Sequence, residues 1–151
     1  VSPDDCFLVL RGLETLGLRV RAQSDATLQV ADWLAAQPQV ERLLYPPLPG
    51  DPGHALWRRD FSTNGCLFSM VLAPAPESAF NGFFDSLRHF VIGASWGGVH
   101  SLAAYYPAGL QAGRAFPATD RPIVRLSIGL EDVDVLKDDL RAGLAAYQAQ
   151  R

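Results

Sequence analysis

Gly93-Ala94-Ser95-Trp96-Gly97 has the G-x-S-x-G spacing of a nucleophile elbow, the sharp strand-to-helix turn that exposes a serine hydroxyl in many hydrolases. That chemistry needs an acid and then a histidine downstream to take the serine's proton. His100 is the last histidine of the chain, so the required order does not exist. His54 and His89 lie upstream, where no spacing argues for a convergent arrangement. A Gly-rich turn between packed elements is the competing reading of the motif. Neither His54 nor His89 stands in a metal-binding pattern with acids, so both read as structural and no metal is expected. Two further residues bear on chemistry. Arg125 interrupts the otherwise apolar strand "IVRLSIGLE", where by itself it reads as a structural ion pair. Lys137 is the sole lysine, beside Asp138 and Asp139 and off the apolar stripe of its helix. A solvated charge is expected there, and not a desolvated, reactive amine.

The elements that must position these residues follow from periodicity and punctuation. Ser2-Pro3-Asp4-Asp5 opens a helix, with Ser2 as N-cap and Pro3 at the first helical position. Val9, Leu13, Leu16 and Val20 continue at helical spacing, and Leu28, Ala31 and Leu34 resume it after Ser24, a second cap or a kink, which gives one long helix or two in line. "VERLLY" is a short strand, "HALWRRDF" a short helix and "GCLFSMVLA" a buried strand. A helix follows the prolines of "APAPESAFNGFFDSLRHF", and "FVIGAS" is a further strand. "LAAYYP" is ambiguous, and residues 107–122 read as a loop. In "IVRLSIGLE", Val124, Leu126 and Ile128 form one apolar face and Arg125 lies on the other. The closing segment is an amphipathic helix with Val133, Leu136, Leu140 and Leu144 on one side.

With 151 residues and no linker or repeat, residues 1–151 read as one domain, large enough to bury roughly 70% of its extended surface. The predicted class is α+β, with a long N-terminal helix and further helices packed on one face of a small, mainly antiparallel sheet. Hydrophobic residues make up 48% and charged residues 19% of the chain, and the net charge of -3 offers no polyanion-binding surface, so nucleic acid is not an expected partner. No apolar run reaches the ~18 residues of a membrane span, and the acidic start does not resemble a signal peptide, which predicts a cytoplasmic protein. Cys6 and Cys66 lack CxxC spacing and sit in apolar runs, as buried free thiols would.

"RGLETLGLR", "GHALWRRDF", "GCLFSMVL", "SWGGVHSL" and "VRLSIGLEDVDVLKDDL", in chain order, resemble the C-terminal domain of the pyridoxal-phosphate-dependent enzymes of cysteine and methionine metabolism, on the cystathionine beta-lyase branch. The resemblance runs over nearly the whole chain. It implies the small C-terminal domain of a fold-type I enzyme, with the cofactor on a large N-terminal domain absent from this sequence. It implies that Arg125 pairs with the substrate's α-carboxylate, a task for which a planar guanidinium fork is suited. Ser95 and Trp96 would line the substrate site, the serine as a polar contact and not a nucleophile. Tryptophan at 96, where many γ-acting relatives have leucine, favours β-lyase chemistry, and Ala94 lacks the acid that γ-acting members often carry there. His100 departs from the pattern, which has glutamate at that place.

No segment resembles the family's cofactor-lysine region or phosphate-binding run. No catalytic residue and no bound pyridoxal phosphate are therefore expected within this chain. The full-length enzyme implied is a homotetramer that cleaves L-cystathionine by α,β-elimination. A related cysteine-conjugate lyase or γ-acting enzyme, and a non-catalytic binding domain of the same fold, are the alternatives. Losing a large domain would also leave apolar surface exposed.

Overall fold

The computed structural model describes residues 1–109 and 121–151, so most of the predicted loop at 107–122 lies outside the described residues. Helix α1 (Pro3–Leu13) starts where the sequence places it. The Ser2 Oγ accepts the Asp5 amide at 3.1 Å, and the Asp5 carboxylate accepts the Ser2 amide at 2.9 Å, a reciprocal cap that holds the Asp5 carboxyl below its usual pKa. The break before α2 (Leu16–Ala35) comes at Glu14–Thr15 and not at Ser24. Arg19 seals it, donating from Nη2 to the Gly12 carbonyl at 2.7 Å. Ser24 sits buried inside α2, where its hydroxyl meets both the amide and the carbonyl of Asn64 at 3.1 Å. A serine that can satisfy a loop backbone need not cap its own helix.

The remaining elements are β1 (Val40–Leu44), α3 (His54–Asp60), β2 (Leu67–Leu72), α4 (Glu77–Asp85), β3 (Val91–Ile92), β4 (Leu102–Tyr106), β5 (Ile123–Ser127) and α5 (Val133–Ala149). "FVIGAS" yields a strand of only two residues, and the ambiguous "LAAYYP" is strand β4. The five strands form one sheet in the order β1-β2-β5-β4-β3, antiparallel except for the β3–β4 pair. This is the α+β arrangement expected. Helices α2, α4 and α5 cover one face, where Leu34, Phe83, Leu136 and Tyr147 meet Met70 and Leu126 in a single core.

Helix α1 stands apart from that core. None of its residues is buried, and Phe7, Leu8, Val9, Leu10 and Leu13 are all more than half exposed. Cys6 is consequently exposed and Cys66 half-buried, which corrects the expectation of two buried thiols. Lys137, expected in solvent, is half-buried on α5.

Two polar groups tie the layers together. The buried Asp139 carboxylate of α5 accepts three consecutive backbone amides, those of Arg88 at 2.7 Å, His89 at 2.9 Å and Phe90 at 3.0 Å, and so fixes the approach to β3. The buried Tyr45 donates its hydroxyl to the Gly65 carbonyl at 2.8 Å. Burial, with Cys66 adding to it, pushes the Tyr45 phenol well above the ordinary tyrosine range, and burial also raises Tyr105 and Tyr147. Below about pH 10 the tyrosines are protonated in both the folded and the unfolded chain, and this stabilisation is fully present. Above it the unfolded chain ionises first, so stability is expected to fall as pH rises toward the folded-state values. Denaturant midpoints measured between pH 8 and 11 check this, and Tyr45→Phe should flatten the decline. A midpoint that holds steady across that range would contradict it.

Candidate functional site

β5 builds the site because its side chains alternate between two faces. Val124, Leu126 and Ile128 enter the core, which leaves Arg125 and Ser127 on the side of the sheet away from the helices. Arg125 lies opposite Ser69 of β2 and Ala104 of β4. Its guanidinium carbon is 5.3 Å from the ring centroid of Tyr106, the diagonal neighbour on β4. Its Nη2 donates to the backbone carbonyl of Ala94 and reaches that of Ser95 at 3.4 Å. The fold thus brings Arg125 to the turn that carries Ser95 and Trp96, more than 25 positions away in sequence. Trp96 is 65% exposed and lies outside the core.

The turn is held in place by main-chain contacts that sequence reasoning missed. Gly97 has φ of 76°, the left-handed region in which a side chain would be strained. Its amide donates to the Ser127 hydroxyl at 3.3 Å, so β5 supports the turn with the residue two beyond Arg125. From α2 the buried Gln23 donates its Nε2 to the carbonyls of Gly98, at 2.7 Å, and Ile128, at 3.0 Å. A signal for Gln23 existed: it shares the helical stripe of Ala26, Val30 and Leu34, and a polar residue in a buried stripe needs a partner.

The end of the motif is fastened by Glu131. One carboxylate oxygen accepts the Ser101 amide at 2.8 Å and the other the Ser101 hydroxyl at 2.7 Å. The Ser101 hydroxyl oxygen in turn accepts the Gly129 amide at 2.9 Å. Gly129 has no room for a side chain: a Cβ there would collide with the Val99 carbonyl and lie 2.7 Å from the His100 carbonyl carbon. His100, the departure noted in the motif, keeps an exposed ring with Nδ1 3.8 Å from Glu131. The acid that organises this corner therefore comes from residue 131.

Nothing here assembles a hydrolytic triad. His54 pairs through Nδ1 with the Pro46 carbonyl, the His89 amide serves Asp139 and His100 faces Glu131. Among the described residues no histidine is hydrogen bonded to Ser95 and no group of three or more potential ligands could hold a metal. What the site offers is a half-buried cation held by the backbone carbonyls of Ala94 and Ser95 and faced by the Tyr106 ring, at a turn that carries a serine and an exposed tryptophan. A planar guanidinium is the side chain best matched to a carboxylate, because it can donate two parallel hydrogen bonds.

Residues 1–145 match the family model described as "Cys/Met metabolism PLP-dependent enzyme". The chain is 43% identical to cystathionine beta-lyase of Salmonella typhimurium and 42% identical to the Escherichia coli enzyme, over 96% of its own length in both cases. It spans 38% of the length of each of these curated relatives. A cystathionine gamma-synthase from Xanthomonas oryzae, solved with aminoacrylate and cysteine, superposes with a TM-score of 0.84 at 37% identity, covering 99% of this chain and 40% of that one. The same protein has been solved with cystathionine.

Proposed function

The chain belongs to the Cys/Met metabolism family of pyridoxal-phosphate-dependent enzymes, and from that premise we propose that it is the C-terminal, substrate-orienting domain of a cystathionine beta-lyase. The observation that carries the proposal is the placement of Arg125 against the Ala94–Trp96 turn, with Tyr106 on its face.

The residues of this chain do not fit covalent attachment of the family's cofactor. The sole lysine, Lys137, lies on α5 in the helical layer, whereas Arg125 projects from the opposite side of the sheet. The cofactor-binding residues are thus assigned to a large N-terminal domain. The work of this domain is binding and orientation. Arg125 takes the α-carboxylate with two parallel hydrogen bonds, which restricts rotation about the substrate's Cα. Ser95 offers a polar contact beside it, and the exposed Trp96 indole provides an apolar wall for the sulfur-bearing chain.

The substrate proposed is L-cystathionine, cleaved with water to homocysteine, pyruvate and ammonia by a cytoplasmic homotetramer. Trp96, with no acid at Ala94, supports the β-lyase branch. The second reading is a γ-acting enzyme, favoured by the likeness to the Xanthomonas cystathionine gamma-synthase. Product analysis on the full-length protein separates them: α,β-elimination from cystathionine releases pyruvate, and α,γ-elimination releases 2-oxobutyrate. Pyruvate as the dominant oxoacid is expected. Predominant 2-oxobutyrate, or cystathionine formation from cysteine and an activated homoserine without pyruvate release, would overturn the β-lyase assignment.

A further inference from the structure

We propose that Tyr106 is a positioning residue for substrate binding, its ring acting as the platform that aims the Arg125 guanidinium at the Ser95–Trp96 turn. The inference rests on the reading of Arg125 as the carboxylate anchor and adds a residue that neither the motif nor the family resemblance singled out.

An arginine side chain rising from the open face of a sheet has four side-chain torsions to fix before its fork can meet a carboxylate, and ordering such a side chain costs binding free energy. Two contacts fix it here. The Ala94 and Ser95 carbonyls accept from Nη2, which sets where one edge points. They leave rotation about that edge undetermined. The Tyr106 ring supplies the missing restraint, because a π face 5.3 Å from the guanidinium carbon attracts the cation across its plane. Each two-bond edge of the fork includes an Nη2 hydrogen, so a carboxylate binding with two hydrogen bonds takes the one now directed at the Ser95 carbonyl, the longer contact at 3.4 Å, and leaves the Ala94 contact in place.

The sheet sets this geometry. Ala104 is the direct cross-strand partner of Arg125 and Ile123 that of Tyr106, so ring and guanidinium are diagonal neighbours on the same face. A small residue directly opposite Arg125 lets its side chain lean toward the ring, which a larger one at 104 would block. Neither the Tyr106 ring nor the Arg125 side chain is in the core, and Tyr106 is half-buried. Its conservation of the fold is therefore separable from its effect on Arg125.

The test is a double-substitution cycle in the full-length enzyme, with Tyr106→Phe, Tyr106→Leu and Arg125→Ala, read by steady-state kinetics and by calorimetric binding of a substrate-like α-amino acid that cannot eliminate. Tyr106→Phe keeps the ring and should keep KM and affinity within about twofold of the parent. Tyr106→Leu keeps an apolar side chain but loses the π face, and should raise KM and the ligand's Kd by about three- to tenfold with kcat little changed. On the Arg125→Ala background the same Leu substitution should have no further effect. Equal loss in Tyr106→Phe and Tyr106→Leu, an unchanged KM in Tyr106→Leu, or additive losses in the double variant would each overturn the platform role. If Arg125→Ala itself leaves KM and Kd unchanged, the carboxylate-anchor reading fails instead, and the two failures are told apart.

Discussion

Arg125→Ala in the full-length enzyme is expected to lower kcat/KM for an amino-acid substrate by about two orders of magnitude or more, with most of the loss in KM. Truncating one partner of a hydrogen-bonded charge pair costs about 2–5 kcal/mol, because the other charge loses its fork and keeps its desolvation. The direction follows because a carboxylate entering beside the turn would meet the Ala94 and Ser95 carbonyl oxygens with no cation to balance them once the guanidinium is gone. Arg125→Lys should recover part of the loss, as a point charge can neutralise the carboxylate but cannot bind both of its oxygens in parallel. The turn itself should survive either substitution, because Gln23 and Ser127 hold Gly97 and Gly98 independently of Arg125. Circular dichroism and a denaturant midpoint near the parent's check that point. An unchanged KM in a folded Arg125→Ala protein would sink the assignment.

The second large effect concerns stability. Asp139→Ala is expected to cost about 2–4 kcal/mol of unfolding free energy, since three buried or half-buried amides lose a charged acceptor together. Asp139→Asn should cost less, because its amide retains one accepting oxygen where the carboxylate has two. Urea unfolding followed by fluorescence measures both, and a change below about 0.5 kcal/mol for the alanine variant would contradict the account. Activity in the intact enzyme should suffer only as far as folding does, since Asp139 sits in the helical layer.

Much of this was legible in the sequence, for a physical reason that also explains the rest. Strand β5 announces both of its faces by strict alternation, so Arg125 could be placed on the open side of the sheet before any coordinates. Ser2 and Asp5 announce the start of α1, because a capping box is completed within four residues. Local patterns report local contacts. Asp139 looked like one more acid on a charged helix because its partners are about 50 positions away and are main-chain amides, which leave no mark in side-chain chemistry. Glu131 and Gln23 were missed on the same ground: each satisfies backbone groups of a distant segment. Ser24 is a candidate cap or kink by residue type, but a tertiary partner at Asn64 satisfies its hydroxyl inside α2, and the chain breaks at Glu14–Thr15. Helix α1 carries the exposed apolar surface that the sequence analysis expects. Its apolar spacing implies a buried stripe, and the described residues provide nothing that buries it.

The alternation of β5 has a further consequence, for the kinds of sequence change this domain can survive. Its core contacts and the ligand contact proposed for Arg125 are interleaved residue by residue, and strand period admits no half measures: shifting the strand by one position sends every inward side chain outward. A single-residue insertion or deletion within Ile123–Ser127 would drive the Arg125 charge into the layer now filled by Leu126 and Val124 while stripping that layer of its hydrocarbon. Substitutions can therefore tune the site one residue at a time, but length changes in this strand cannot separate a lost ligand from a lost fold.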